Sequence, residues 1–325
     1  MVTKRRLPAI FEELPFSRTT ALSAGVTSGR LRARDLRAPF HAVRVDSSLP
    51  DDVFWRCRAY TERMSAANAF SHHTAAELYG FPLPLYARRD RNLHVARPAG
   101  GTVPVGRGVR GHEVSAKLWM CRDVIHRDHG RGELFVLRAL SPALVWAQLS
   151  TLLDIDDLVA VGDSIVTGVE PLASTEELSA IAALCGGRRG ALALREALPL
   201  IRVGPLSRPE SLIRLQMMKA GLPEPALNVA VNDQRGDRIG EPDFCWPEFR
   251  VLAEYDSERF HGESRRRPDR ERMELYADGG WAGLVAYATD AFTDPNAFLQ
   301  RLARRLRTGG WQSDSEPWRI AGARR

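Results

Sequence analysis

Residues 241–262, EPDFCWPEFRVLAEYDSERFHG, carry two short apolar runs, Phe244 to Trp246 and Val251 to Ala253. Trp246-Pro-Glu248 between them reads as a tight turn, so the runs are predicted to be adjacent strands, Ile239 to Trp246 and Arg250 to Asp256. Asp243 then lies in the middle of one strand, and Glu254 and Asp256 near the end of the next. Side chains at i and i+2 of a strand share a face, so Glu254 and Asp256 project together while Tyr255 points the other way.

Moving outward, Ser207 to Ala220 is predicted to be an amphipathic helix, stopped by Gly221-Leu-Pro223, and Ala226 to Val231 to be a first strand. Asn232 to Asp237 supplies a hairpin turn. Beyond Asp256 come a helix over Arg266 to Asp278, a strand over Trp281 to Ala288 and a helix over Asp294 to Arg307. The order is α-β-β-β-α-β-α. Glu210, in the first helix, is placed to approach the strand acids from the side. Converging carboxylates in apolar surroundings are costly unless a cation neutralises them. All the donors are oxygen, so a hard divalent ion, Mg²⁺ or Mn²⁺, is the expected cofactor, with Glu210, Asp243 and Glu254 as ligands. Such an ion polarises a scissile phosphate and activates water. The same residues also read as a turn aspartate and a sheet-edge charge.

Pro242-Asp243 followed by Glu254-Tyr255-Asp256 on this element order resembles the PD-(D/E)XK nuclease superfamily. Phe244 to Gly262 looks more specifically like the Vsr-like domain related to very-short-patch-repair endonucleases. The family's other signatures match at His261, at Asp269 with Arg272, at Gly280-Trp281, and at Arg208-Pro-Glu210-Ser-Leu-Ile-Arg214 in the opening helix. The resemblance covers roughly residues 205–308. It implies a metal-dependent DNA endonuclease with Asp243, Glu254, Asp256 and His261 as catalytic residues. Ser257 stands where the family has glycine after Glu-x-Asp, and no lysine follows Glu254.

The net charge of +6 has a single origin. Residues 1–110 hold 18 Lys+Arg against 9 Asp+Glu, whereas residues 205–325 hold 19 of each. Localised positive charge suits a phosphate backbone, and equally a solvated basic face. Within this region Ser17 is expected to cap a helix over Arg18 to Ala24 that Gly25 ends. A second helix is predicted over Arg30 to Arg37, and Phe40 to Asp46 alternates as a strand. Helix, turn, helix, strand is the plan of a winged helix-turn-helix, whose second helix would present Arg30, Arg32, Arg34 and Arg37 to DNA. A small helical cap with a solvated arginine face fits the same pattern. Phe16 to Leu31, with Ser71-His-His-Thr-Ala-Ala-Glu-Leu-Tyr-Gly80, resembles AbiEi-type antitoxins of abortive-infection systems. That resemblance implies DNA binding without catalysis, and a cognate toxin or defence-system protein as a partner.

The expected fold class is α/β, α+β overall. A winged helix-turn-helix region spans 1–50, a mixed α/β middle domain 51–204, a restriction-endonuclease-like αβββαβ core 205–308 and a tail 309–325. The longest largely apolar uncharged run, Ala139 to Leu153, falls short of the roughly twenty residues a membrane span needs. No apolar signal core follows the first basic residues, so a cytoplasmic protein is expected. The four cysteines have no zinc spacing and read as buried apolar residues. Gly106-Arg-Gly-Val-Arg-Gly111 matches a dinucleotide fingerprint but lacks the strand before it and the helix within it. His72 and His73, adjacent on a helix, diverge by about 100° and do not easily share an ion. His126 and His129 read as loop residues.

Overall fold

A computed structural model describes residues 6–128, 130–256 and 266–312. His261 and Ser257 lie outside the described residues. The architecture is mixed α/β, in two compact units: 1–153 with 176–194, and 154–175 with 195–325. The boundary differs from the expected linker at Gly204, because residues 154–175 and 195–204 belong with the C-terminal unit.

The first unit opens with α1 (Ala9–Glu13), β1 (Phe16–Ser17), α2 (Arg18–Ser23), β2 (Leu36–Arg37) and β3 (Val43–Asp46). The hydroxyl of Ser17 accepts from the Thr20 N–H at 3.0 Å, the predicted cap. Gly25 ends the helix with φ +80°, a conformation that favours glycine. Leu7, Phe11, Phe16, Ala21, Val26 and Leu31 form a small core. The second helix is not there. Arg30–Arg32 makes a single 3-10 turn, and Leu36–Arg37 pairs with Val45 and Asp46 in the β1-β3-β2 sheet. The Arg30 guanidinium grips Asp35 through two bonds of 2.9 and 2.8 Å, an i,i+5 pairing that folds the chain back toward the sheet.

There follow α3 (Val53–Thr61), β4 (Ala69–Phe70), α4 (His72–Leu78), β5 (Leu93–Pro98), β6 (Val109–Val114), β7 (Cys121–Asp128), β8 (Glu133–Leu140) and α5 (Pro142–Leu149). Their five strands make one sheet in the order β6-β5-β4-β8-β7. The β7–β8 hairpin puts His126 on a strand, stacked on Phe54 at 3.6 Å, and not in the expected loop. Gly106 to Gly111 is a turn running into β6, as expected.

The chain continues through α6 (Ile155–Val166), α7 (Thr175–Leu184), α8 (Ala191–Ala197) and α9 (Arg208–Lys219). Then come β9 (Ala226–Leu227), β10 (Val231–Asn232), β11 (Arg238–Gly240), β12 (Phe244–Trp246), β13 (Val251–Asp256), α10 (Arg266–Asp278), β14 (Ala282–Tyr287), α11 (Ala288–Phe292) and α12 (Asn296–Thr308). Two of the expected long strands are interrupted, and β10–β11 forms a separate ribbon. The main sheet runs β14-β13-β12-β9, with β13 and β14 parallel and the other pairs antiparallel.

Period-two alternation divides this sheet. Phe244, Trp246, Val251 and Ala253 pack on Ile213 and Met217 of α9 and on Phe298, Leu302 and Leu306 of α12. Cys245 and Leu252 face the other way, towards Tyr276 of α10 and Trp281. Helix α9 is fixed to α6 by ions. Arg208 binds Asp157 at 2.6 Å, Lys219 binds Asp156, and the fully buried Arg214 binds Asp163 at 3.0 Å and the Leu200 carbonyl at 2.8 Å. Burial pushes the Asp163 carboxyl up, while Arg214 and the Arg202 N–H pull it down.

Removing one partner of a buried pair strands the other charge. Asp163→Ala is therefore expected to lower the stability of this unit by about 3–5 kcal/mol in urea unfolding. A loss below about 1 kcal/mol would show that the pair does not anchor α9.

Candidate functional site

The carboxylates gather at one end of the second unit's sheet. Antiparallel pairing of Phe244 with Ala253 brings Asp243 alongside Glu254 and Tyr255, and Asp243 Oδ2 accepts from the Tyr255 N–H at 2.7 Å. Glu254 shares the face of Leu252, beneath α10, and is buried. Its Oε1 accepts from the Tyr276 hydroxyl at 3.0 Å, and its Oε2 meets Arg272 Nη2 at 2.6 Å. Arg272 and Tyr276 sit one helical turn apart on α10, so both reach the same strand residue. Tyr276 gets this close because Gly240 has no side chain, since a Cβ there would lie 2.4 Å from the tyrosine oxygen.

Glu210 comes from α9, which packs on the opposite face of the sheet. It is occupied locally: Oε2 accepts from the Leu206 N–H at 2.8 Å and Oε1 from the Ser207 hydroxyl at 2.7 Å, a reciprocal cap of its own helix. This placement explains why Glu210, Asp243, Glu254 and Asp256 do not gather as a tight cluster. Among the described residues, the side chains whose ligand atoms all lie within 4.8 Å of one another are three histidines and not these acids.

The electrostatics nonetheless register crowding. Burial pushes the Asp243 carboxyl up to about 7, and the charges of Glu210 and Glu254 add to the rise, against the Tyr255 N–H and Arg272. Burial, then the Glu254 charge, likewise raises the Tyr276 phenol. The donor set suits a hard divalent ion, because an oxygen-rich site that disfavours its own ionisation gains most from an added positive charge. Asp243 and Glu254 would hold it. Such an ion would compete with Arg272 for Glu254.

The chain is similar to two mycobacterial proteins. These are Uncharacterized protein MT2308 and Uncharacterized protein Rv2248, from two strains of Mycobacterium tuberculosis, each 35% identical over 121 residues. The match takes in 37% of this chain and 44% of each relative, so the chain spans less than half the length of these curated relatives. No protein-family model matches the chain. Among solved structures, the RV2827C protein from Mycobacterium tuberculosis is similar at a TM-score of 0.36 and 14% identity, over 70% of this chain and 90% of that one. A likeness at that level carries no argument about the site.

In the first unit, the four cations expected on a recognition helix divide into two kinds. Arg30 is held by Asp35 with its side chain only 9% exposed. Arg37 bonds the Leu49 and Pro50 carbonyls and pairs with Asp51 at 2.8 Å. Both tie the chain down. Arg32 and Arg34 are exposed. Arg32 also lines a cavity of about 490 Å³ together with Arg18, Arg44 and Arg107. Arg18, Arg44 and Arg107 lie outside the expected helix; Arg44 alternates with the buried Val43 and Val45 and is itself half-buried, bonding the Leu31 and Val43 carbonyls at 2.8 Å. Asp269 lies within α10. Among the described residues no helix is long and apolar enough to cross a membrane. All four cysteines are free, three of them buried and Cys121 half-buried.

With its pKa raised in the fold, Asp243 adds stability in full below about pH 3.8, and loses that contribution as pH rises through about 7. Asp243→Asn is expected to flatten this dependence and to raise the metal-free Tm at pH 8 by about 2–4 °C. An unchanged pH profile of Tm would refute the crowding.

Proposed function

We propose that the protein binds DNA through the arginine-lined groove of its first unit and hydrolyses phosphodiester bonds at the acidic end of its second-unit sheet. The supporting observation is the pairing of Asp243 with Glu254 across adjacent strands, under a helix that supplies Arg272. The αβββαβ order expected from the sequence resembles the PD-(D/E)XK kind, although two of its strands are interrupted. A divalent ion bound there would supply Lewis-acid activation of the phosphate and of water. Asp243 and Glu254 provide the negative charge that holds the ion. Tyr276 orients Glu254 through its hydroxyl. Arg272, which pairs with Glu254, would balance the charge that develops on the phosphate, a cation where no lysine follows Glu254.

A second reading is favoured by one observation: Glu254 is already neutralised by Arg272, and Glu210 is consumed by its own cap. On that reading the unit is a non-catalytic DNA-binding regulator of the antitoxin kind, with a toxin as its protein partner.

Nicking of supercoiled plasmid in Mn²⁺ or Mg²⁺ separates the two. The nuclease reading expects cleavage that Glu254→Gln reduces at least about a hundredfold without loss of DNA binding. Metal-dependent cleavage absent from the wild type would leave the regulator. DNA affinity is expected to fall with salt, and Arg32→Ala and Arg107→Ala each to reduce the log–log slope by about one. Arg30→Ala instead lowers stability, because it removes the two guanidinium bonds to Asp35. Slopes unchanged in both groove variants would exclude this surface as the phosphate contact.

A further inference from the structure

We infer that His72, His94 and His112 form a binding site for a borderline transition-metal dication of the zinc class, separate from the carboxylates of the second unit. The three come from far apart in sequence, yet their ligand atoms all lie within 4.8 Å of one another. Strands β5 and β6 run parallel with His94 opposite Arg110 and Ala96 opposite His112, so His94 and His112 share one face of the sheet. Helix α4 is stitched to β5 at this point: the Ser71 N–H bonds the His94 carbonyl at 2.9 Å, and the His94 N–H bonds the Thr74 hydroxyl at 2.8 Å. The first helical residue, His72, is thereby placed over the strand histidines. It holds φ at +47°, an uncommon conformation for a residue with a side chain.

The hydrogen bonds prepare lone pairs. His94 is 2% exposed, and its Nε2 lies 3.1 Å from Asp90 Oδ2, so Nε2 carries the proton and Nδ1 is the acceptor. That Nδ1 faces His112 Nε2 at 3.0 Å. A carboxylate behind a ligand imidazole fixes its tautomer and raises its basicity, the usual support of a metal-binding histidine. His72 Nδ1 is held by the Ser71 hydroxyl at 3.1 Å, which leaves Nε2 for the ion.

Tetrahedral zinc with bonds of about 2.0–2.1 Å needs nitrogens about 3.3 Å apart. The His94–His112 pair is already that close, and the half-buried His72 offers a ligand atom within 4.8 Å of both. His112 would shift its proton to Nδ1, a neutral tautomer change. His73, only 8% exposed, stands edge-on to His94 at 4.9 Å, and its Nδ1 has no hydrogen-bond partner among the described residues. It is a fourth nitrogen at the rim. Burial, followed by the other rings, pushes His72 down to about 2. Burial, His94 and Arg110 push His112 down to about 4. Both rings are therefore neutral at pH 7 and can bind metal without first losing a proton. Asp90 is held at about 2, burial being outweighed by the Asn92 N–H and the His94 ring, and its negative charge offsets the exposed Arg110 nearby.

The chain as a whole, stripped with chelator and kept in excess Mg²⁺, is titrated with Zn²⁺ and with Co²⁺. The expected result is one equivalent bound, with a visible Co²⁺ spectrum and a raised Tm. His72→Ala and His112→Ala should each weaken binding at least about a hundredfold, and Asp90→Asn about 10–100-fold. Glu254→Gln should leave it unchanged, so the site stands or falls independently of the nuclease reading. Wild-type imidazole nitrogen shifts give a readout that needs no folded variant, with His72, His94 and His112 moving together as Zn²⁺ is added. Three results would each overturn the site: no stoichiometric binding, binding that survives loss of both His72 and His112, or zinc that leaves those three rings unmoved.

Discussion

The second unit depends on one buried charge. Arg214 has no access to water, and taking a guanidinium out of water costs several kcal/mol unless its charge and its donors are met. Asp163 meets the charge and the Leu200 carbonyl takes a second bond from the same Nη2, while Nε has no partner among the described residues; both partners lie outside the segment that carries the sheet. Helix α9 can therefore reach its place on the sheet only with α6 and the 195–204 segment already beside it. Arg208 with Asp157 and Lys219 with Asp156 extend the same junction outward, where each ion pair is worth less. Residues 154–175 and 195–204, which the sequence groups with a middle domain, are part of the C-terminal unit, and these ion pairs join them to it.

That junction also sets the geometry of the acids. Ile213 and Met217 lie one and two turns beyond Glu210 and pack on the sheet, so anchoring α9 fixes where Glu210 enters. The alternation of β13 puts Glu254 on the far side. Asp243, fixed by the Tyr255 N–H, lies between them in the electrostatic sense: the charges of both raise its pKa. A set of residues with the right composition is thus divided by the sheet itself.

Much of this was legible locally. Helices α2 and α9 begin at the serines that cap them, and α10 spans the predicted residues, while β13 and β14 keep their predicted apolar runs to within a residue at either end. The facing of Tyr255 away from Glu254 follows from strand parity alone. What could not be read was pairing over distance. The helix expected over Arg30 to Arg37 had suitable periodicity, but its arginines find better partners than solvent: Asp35 for Arg30, and the Leu49 and Pro50 carbonyls with Asp51 for Arg37. The strand Leu36–Arg37 then takes its ladder bonds from β3. The partner of Glu254 was equally hidden. Arg214, in the opening helix beside Glu210, is committed to Asp163, and Arg272 from the helix beyond pairs with Glu254. His94 and His112 carry no motif in one dimension, because only the parallel register of β5 and β6 sets them on one face with His72.

Three ways of relieving the same electrostatic stress meet at Glu254 and Asp243: a proton, an arginine and a divalent ion. They differ in what they permit. A proton on Asp243 removes the stress but also a donor, and its hold weakens as pH rises through about 7. Arg272 pairs directly with Glu254 and acts on Asp243 only as a weaker, more distant charge, from a side chain about half exposed, where solvent weakens the bond. On the proposed function, an ion would neutralise both acids at once and compete with Arg272 for Glu254. The balance therefore tips toward the ion as pH rises and Asp243 ionises, and toward the arginine as pH falls. The histidine site answers to a different chemistry. Its donors would be imidazole nitrogens, of which His94 Nδ1 is engaged by His112 Nε2 until an ion displaces that bond, so a borderline ion there and a hard ion at the carboxylates would be sorted by donor type and not by competition for one place.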